Sequence, residues 1–227
     1  MSKGIFITFE GIDGSGKSTQ IQYLKEYFSE NGIEAVFTRD PGGTQLGEEL
    51  RSLILHSENE IISAEAEMML YGACRAQLVN EIILPALSQN KVVVSDRFLD
   101  SSVAYQGYGR KLGDEAVLSV NRQIVRKCVP DLTFFMDIDP ITVKERLSGR
   151  NRDRIEGEGD AFMNDVFRGY LELYRKNADR IIKIDADKPK DVIREEIIEI
   201  IERIRSFNLR ESEISILKQR DSITVWE

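Results

Sequence analysis

Five short apolar segments recur along the chain, and stretches of helical periodicity separate them. They lie at residues 4–9, 33–38, 91–96, 132–138 and 181–185. Each is rich in β-branched or aromatic residues and mostly continuous in its apolar character, which is typical of strands buried on both faces of a parallel sheet. The pattern predicts an α/β fold with a five-stranded parallel sheet flanked by helices.

Three helices are predicted most clearly. The first runs from about Lys17 to Asn31, and Gly32 follows it as a stop signal. A longer helix fills roughly 63–89, and a third covers 191–206. The third helix carries isoleucines on one stripe, which predicts packing against the core. These are Ile193, Ile197, Ile200, Ile201 and Ile204.

The chain is predicted to form a single domain over residues 1–206, because no Pro/Ser/Gly-rich linker or composition break divides it. The last segment, 207–227, has little helical periodicity and is expected to be a C-terminal extension. Two interpretations stay open for this segment. It is either a partly ordered surface extension, or it forms a short strand or docking peptide at its end, "SITVWE".

The overall charge is acidic, with 31 Lys and Arg residues against 39 Asp and Glu residues and a net charge of -8. This balance argues against a nucleic acid polymer as the main ligand, because such affinity comes from many cationic contacts. No apolar run is long enough to span a bilayer, so no membrane partner is expected. Cys74 and Cys128 do not form a disulfide framework or a metal spacing, and the N-terminus lacks the features of a signal peptide. A cytoplasmic protein is therefore expected.

A glycine-rich stretch, "FEGIDGSGKSTQ" at 9–20, lies between the first predicted strand and the first predicted helix. It satisfies the pattern G-x-x-x-x-G-K-[ST] in the context that this pattern requires. Its glycines allow backbone N–H groups to approach a phosphate, and the helix N-terminus adds partial positive charge. We predict that the amides of 14–18 cradle nucleotide phosphates, that Lys17 reaches the transferred group and that Ser18 holds magnesium. The alternative is a tight glycine turn with a helix-start lysine.

The segment "RLSGRNRDR", residues 146–154, holds four arginines. Phosphoryl transfer depends on stabilising negative charge, and the glycine-rich loop contains no arginine of its own. The segment is therefore predicted to belong to a lid at about 146–160 that closes over a polyphosphate. The alternative is a solvated charged loop.

Asp96 ends the third predicted strand, and Arg97 follows it. A carboxylate at this position commonly serves the magnesium ion of a phosphate-loop enzyme, and the arginine is suited to grip a second phosphate. Ser18 and Asp96 are therefore the predicted metal ligands. The alternative role for Asp96 is to cap the next helix.

Four motifs together resemble the bacterial thymidylate kinases, which belong to the P-loop nucleoside monophosphate kinases. They are "FEGIDGSGKST" at 9–19, "TRDPGGT" at 38–44, "DRFLDSSVAYQG" at 96–107 and "DRIE" at 153–156. The resemblance runs from about residue 5 to 206. It implies transfer of the γ-phosphoryl group of ATP to dTMP with Mg²⁺ as cofactor, in dTTP synthesis for DNA replication, and it implies a homodimer.

The resemblance also implies an acceptor site. Tyr71 falls where the family stacks an aromatic ring on thymine, although a core position is the alternative. Arg75 and Ser102 fall at the base edge, and Tyr105 where a ring excludes a ribose 2′-hydroxyl. The full set of implied dTMP-binding residues is Asp13, Asp40, Arg51, Tyr71, Arg75, Arg97, Ser102, Tyr105 and Gln106. This sequence departs from the family's pattern at two of these positions. It has Asp40 where the family frequently has glutamate, and Tyr71 where the family usually has phenylalanine.

On the donor side the resemblance is to the kind of thymidylate kinase whose catalytic arginine lies in the lid. The implied catalytic residues are Lys17, Arg97, Arg150 and Arg154, and the last two are not ranked. Arg146 is expected to pack on the adenine. The implied ATP-binding residues are Gly11, Ile12, Asp13, Gly14, Ser15, Gly16, Lys17, Ser18, Thr19 and Arg146.

Two other functions are weighed against this one. The first is a kinase for another acceptor, such as dUMP or a deoxynucleoside, because one methyl group separates thymine from uracil. The second is a regulatory nucleotide switch. It would need a guanine-reading signal such as N-K-x-D, which the sequence lacks, and it leaves the arginine-rich segment unexplained.

Overall fold

The computed structural model describes residues 4–56, 62–125, 128–146 and 154–206. The predicted extension at 207–227 and most of the arginine-rich segment, including Arg150, lie outside the described residues. None of the helices within the described ranges is long and apolar enough to cross a membrane.

The central sheet contains five parallel strands, as the sequence predicts. They are β1 (Phe6–Glu10), β2 (Ala35–Arg39), β3 (Val92–Asp96), β4 (Leu132–Asp137) and β5 (Ile181–Asp185). Their order in the sheet is β2-β3-β1-β4-β5, and every neighbouring pair is parallel. The three interior strands, β3, β1 and β4, are mostly buried because helices cover both faces of the sheet.

The described part of the chain forms nine α-helices. They are α1 (Lys17–Glu30), α2 (Gln45–His56), α3 (Ala64–Leu78), α4 (Leu84–Ser88), α5 (Leu99–Ser102), α6 (Asp114–Val125), α7 (Pro140–Arg146), α8 (Asp160–Lys176) and α9 (Lys190–Ser206). The predicted helices at 17–31 and 191–206 are confirmed as α1 and α9. The predicted helix at 63–89 is one run of α3 and α4, which the π-helical segment Val79–Ile83 joins. A second π-helical segment, Val103–Gly109, continues α5.

Alternate residues of the central strands pack into apolar clusters on different sides of the sheet. Phe6 and Val93 belong to a cluster with the end of α3, whereas Ile7 and Val94 belong to the larger cluster. The isoleucine stripe of α9 lies in the larger cluster, with Ile200 only partly buried. The core-packing prediction for this helix is therefore confirmed.

The parallel arrangement brings the carboxyl ends of β1, β2 and β3 to one edge of the sheet. Phe9 is paired with Asp96, and Asp96 in turn with Arg39. The loops that follow these three strands therefore open side by side, which is where ligands bind in open parallel sheets.

Candidate active site

The loop between β1 and α1 has the shape that a phosphate cradle needs. Gly16 is the N-cap of α1 and has a φ of 94°, so the first N–H groups of the helix lie at the loop. Gly11 has a φ of 136°, and a Cβ there would come within 2.9 Å of the Met136 carbonyl oxygen. Both positions therefore require glycine. The hydroxyl of Ser15 in this loop is buried and finds no partner among the described residues.

Lys17 is the first residue of α1, and its side chain turns back over the loop. Its Nζ donates to the carbonyl oxygens of Gly11, at 2.9 Å, and Ile12, at 2.8 Å. Burial lowers the pKa of Lys17 to about 8; the charge of Arg97 contributes to this, and nearby carboxylates oppose it. The ammonium group is therefore poorly solvated, which favours an exchange of carbonyl partners for phosphate oxygens.

Ser18 and Asp96 come together at the edge of the loop. The Ser18 hydroxyl donates to Asp96 Oδ2 at 3.2 Å, while Asp96 Oδ1 is buried and unpartnered among the residues that the structure describes. A hydroxyl and a carboxylate are hard oxygen ligands of the kind that Mg²⁺ uses beside substrate phosphates. In the described ranges no group of three or more His, Cys, Asp or Glu side chains is arranged so that it could hold a metal ion by itself. The two predicted ligands thus fit a magnesium site completed by phosphate and water.

Arg97 joins the loop after β3 to the phosphate loop. Its φ of 67° is uncommon for a residue with a side chain and marks a constrained backbone. Its Nη2 lies 2.6 Å from Asp13 Oδ1, and burial of Asp13 is outweighed by Arg97 and Lys17, which hold the pKa of this carboxyl well below its usual range. The other acceptors for Arg97 are the carbonyl of Gly11 and the hydroxyls of Ser101, Tyr105 and Tyr170.

A cavity of about 470 Å³, partly open to solvent, lies beside the phosphate loop. All nine residues that the resemblance assigns to dTMP contribute to its lining, as do Pro41, Leu55, Ser101 and Ile155. Tyr71 is half-buried here and belongs to neither apolar cluster, so the structure does not favour the alternative that it is a core aromatic. The structure therefore brings together side chains from four separate parts of the sequence.

Arg75 is the most buried cation of the cavity wall, with 1% of its surface exposed. Its Nε donates to Asp40 Oδ2 at 2.6 Å, and its Nη2 to the Ser102 hydroxyl at 2.8 Å. Burial raises the pKa of Asp40 although Arg75 opposes this, and Asp40 Oδ1 has no partner within the described chain. Asn121 of α6 accepts from Nη1 at 2.6 Å, and sequence reasoning missed it because no motif marks it.

The π-helical segment Val103–Gly109 carries Tyr105 and Gln106 to the same cavity. The Tyr105 hydroxyl donates to Asp13 Oδ2 at 3.0 Å, and its ring lies 5.1 Å beneath the guanidinium of Arg97. The extra residue in a π-helical turn rotates the side chains that follow it, so that neighbouring residues lie where an α-helix would not place them. π-Helical turns are frequent at functional sites for this reason.

Two buried carboxylates of the site were not predicted from the sequence. Glu10 ends β1 and accepts from the amide of Phe98 and the hydroxyl of Ser101. Burial, with a contribution from Asp100, raises the pKa of Glu10 to about 7. Glu67 of α3 is fully buried beside Gln106. Only the position of Glu10 at the end of a mostly apolar strand could have drawn attention to it.

The two described arginines of the predicted lid are both engaged away from the phosphate loop. Arg146 donates to the Ala186 carbonyl and to Asp187, in the loop before α9. Arg154 Nε donates to the Ile54 carbonyl at 2.8 Å, and its Nη2 to Glu67 at 2.7 Å. Arg150 lies outside the described residues.

Comparisons with known proteins agree with the fold. The sequence matches the family described as Thymidylate kinase over residues 9–197. A thymidylate kinase of Kosmotoga olearia is 46% identical over 195 residues, covering 86% of this chain and 93% of that protein. One of Exiguobacterium sp. is 42% identical over 204 residues, covering 89% and 96%. The crystal structure of the Ehrlichia chaffeensis thymidylate kinase superposes with a TM-score of 0.71 at 33% identity, covering 88% of this chain and 99% of that one.

The lowered pKa of Lys17, about 8, predicts pH-dependent nucleotide binding. Below that pH the ammonium is formed before ATP arrives. Above that pH, Lys17 of the free protein is deprotonated, and it must take up a proton again when the phosphates of ATP bind. The affinity for ATP therefore falls by up to about tenfold per pH unit. Calorimetric titration with Mg-ATP from pH 7 to 9.5, in two buffers of different ionisation enthalpy, measures both the affinity and the proton uptake. Lys17→Met should bind ATP more weakly, and its affinity should not change with pH near 8. A wild-type affinity that does not depend on pH would contradict the lowered pKa of Lys17.

Proposed function

The chain belongs to the thymidylate kinase family, and we propose that the cavity and the phosphate loop beside it are the acceptor and donor halves of its active site. The reaction is the phosphorylation of dTMP to dTDP with ATP, a step in dTTP synthesis. The observation that carries the assignment is the convergence of nine side chains on one cavity of about 470 Å³.

The acceptor is proposed to enter with its phosphate toward Arg97 and Arg51. Both guanidiniums line the cavity, and Arg97 is held between the phosphate loop and Tyr105 by the contacts described above. Two guanidiniums match a phosphate dianion by paired hydrogen bonds. The phosphate of dTMP would then lie next to the loop from which the γ-phosphoryl group of ATP arrives.

The base is proposed to lie at the opposite end of the cavity. Tyr71, which lines the cavity, is proposed to stack its ring on thymine. The buried Gln106 Oε1, which has no partner in the described chain, is proposed to accept from the ring N–H of thymine. Arg75 supplies donors only, which suits the thymine carbonyl oxygen. Tyr105 lies between the two ends, where a ribose 2′-hydroxyl would approach.

The chemical step is an in-line attack of an oxygen of the dTMP phosphate on the γ-phosphorus of ATP. The bond to the β,γ-bridging oxygen breaks, and ADP leaves with that oxygen. No general base is required, because a phosphate dianion is already a nucleophile at neutral pH. Lys17 and Arg150 of the lid are proposed to stabilise the charge of the transferred group, since this reaction is catalysed mainly by positioning and electrostatics.

Mg²⁺ is the proposed cofactor, held by Ser18 and Asp96. The proximity of these residues, with 3.2 Å between their oxygens, and the unpartnered Asp96 Oδ1 support the assignment. When bound, the ion would neutralise charge on the β- and γ-phosphates of ATP. Asp96 is fixed for this role by its place at the end of β3, in register with Phe9 of β1.

A panel of nucleoside monophosphates tests the proposed function. ADP release measured with dTMP, dUMP, dCMP, dAMP and dGMP is expected to be fastest with dTMP. The missing methyl group of dUMP should cost about 10- to 200-fold in kcat/KM. Activity should be lost without Mg²⁺, and Lys17→Ala should reduce turnover far more than it weakens dTMP binding. A better acceptor than dTMP would contradict the acceptor assignment, and hydrolysis that needs no acceptor would favour the nucleotide switch.

The contacts of Arg154 predict different roles for the two lid arginines. We propose that Arg150 meets the transferred phosphoryl group, whereas Arg154 braces α2 and Glu67 at the cavity wall. Arg150→Ala should therefore lower kcat by about 100-fold or more. Arg154→Ala should mainly raise the KM for dTMP and leave kcat within a few-fold. Steady-state kinetics of both variants decide, and a large loss of kcat in Arg154→Ala alone would reverse the assignment.

A homodimer is also proposed. Leu46 of α2 is 47% exposed and Met69 of α3 is 53% exposed, and these two helices pack against each other. Apolar residues exposed on neighbouring elements mark association surfaces more often than an isolated one does. Light scattering coupled to size exclusion should give twice the mass of the chain. Leu46→Glu should yield monomers, whereas Ile141→Glu, a matched change at a residue 70% exposed on α7, should not. A monomeric wild type at micromolar concentration would contradict the proposal.

A further inference from the structure

The side-chain amide of Gln106 is fixed at one end and left open at the other. Its Nε2 donates to Glu67 Oε1 at 2.9 Å. Its Oε1 is buried and has no partner among the residues that the structure describes, although Gln106 lines the acceptor cavity. An amide presents a donor and an acceptor at its two ends, so the end that faces the cavity determines which ligand atom it can meet.

Glu67 can only accept hydrogen bonds in this arrangement. Its carboxylate is fully buried and receives Arg110 Nε and Nη2, at 3.2 and 3.0 Å, and Arg154 Nη2, at 2.7 Å. Burial raises the pKa of Glu67, but the bonds from Arg110, Gln106 and Arg154 outweigh it and hold this pKa below its usual value. The group is therefore an anion at neutral pH. An anionic carboxylate requires the NH₂ end of Gln106 and excludes the other orientation.

We propose that Glu67 is a positioning residue for acceptor specificity: it holds the Gln106 carbonyl oxygen toward the cavity and so selects a pyrimidine with an N–H at ring position 3. This inference rests on the proposed function. Thymine and uracil carry that N–H, with a carbonyl oxygen beside it. Cytosine presents a lone pair at the same position, with an amino group beside it. Glu67 itself does not line the cavity and acts through Gln106.

The arrangement discriminates because the wrong base leaves buried groups unpaired. A cytosine in the same pose would place its ring nitrogen lone pair against the Gln106 oxygen and its amino group against the donors of Arg75. Sites built from buried polar groups reject such analogues far more strongly than apolar pockets reject a missing methyl group. Gln106 also lies in the π-helical segment, whose backbone is anchored by the bond from Arg110 N–H to the Tyr105 carbonyl, at 2.8 Å.

Replacement of Glu67 by glutamine should reverse the orientation of the Gln106 side-chain amide. The donors of Arg110 and Arg154 would compete for the single oxygen of the new side chain, and its NH₂ group would be left toward Gln106. Gln106 would then turn its own oxygen to that NH₂ and present its NH₂ to the cavity. This orientation donates to the ring nitrogen of cytosine and opposes the N–H of thymine.

The test compares kcat/KM for dTMP and dCMP in the wild type and in Glu67→Gln. The expected result is a fall of at least about tenfold in the dTMP:dCMP ratio, with dCMP improving in absolute terms. General structural damage lowers both values together and does not move their ratio in this way. Arg110→Gln is the matched control, because it removes two of the four hydrogen bonds to Glu67 but keeps the carboxylate, and it should preserve the ratio.

A double-mutant cycle shows whether Glu67 acts through Gln106. Gln106→Leu should lower the ratio by itself, and adding Glu67→Gln should then produce no further change. If Glu67→Gln does not fold, Glu67→Asp replaces it. The long arginine side chains can follow the shortened carboxylate, whereas Gln106 on its anchored backbone cannot. The ratio should fall here too.

The outcomes separate this inference from the proposed function. A wild type without preference for dTMP over dCMP would overturn both. A wild type with that preference, together with an unchanged ratio in the folded Glu67 variant, would overturn only the role of Glu67. A ratio that falls equally in Arg110→Gln would also overturn it, because the effect would then reflect general damage to the cluster.

Discussion

The guanidinium of Arg97 holds the two halves of the site in one geometry. It reaches from the end of β3 to Asp13 and Gly11 in the phosphate loop, and it also contacts Tyr105 and Tyr170. These elements are distant in sequence, so non-covalent contacts must hold them together. A left-handed backbone at Arg97 is the conformational cost of aiming the side chain at this point. Arg97, together with the bond from Tyr105 to Asp13, therefore links the phosphate loop directly to the cavity wall.

Around this arginine, environment rather than residue type decides which groups are charged. The pKa of Asp13 lies well below its usual range, because the charges of Arg97 and Lys17 outweigh the effect of burial. Glu10, at the end of β1, shows the opposite shift, because burial raises its pKa to about 7. The ammonium of Lys17 is also destabilised by burial. Such opposed shifts are characteristic of functional sites, since a group that lacks solvent gains more from an arriving charge. In the proposed function, the substrate phosphates would be that charge for the cations Lys17 and Arg97.

The sequence was a sufficient guide wherever the signal is local. The strand positions follow from the apolar runs, and the phosphate loop follows from the glycine spacing. The resemblance to the family identified the residues that line the cavity. The roles assigned to these residues stay predictions, as do the domain limits and the cytoplasmic location. The order of the strands carries no local signal. Partnerships across the fold do not either: Arg75 meets Asn121 across 46 positions, and Glu67 meets Arg154 across 87. Those pairs become visible only when the helices are packed.

The π-helical segment Val103–Gly109 has a consequence for how this part of the chain can vary in evolution. Loss of one residue there would restore ordinary α-helical winding and rotate everything beyond the deletion by about 100° around the axis. Tyr105 and Gln106 could then no longer both face the cavity, whatever their identities. Natural selection should therefore tolerate substitutions in this stretch more readily than a change in its length.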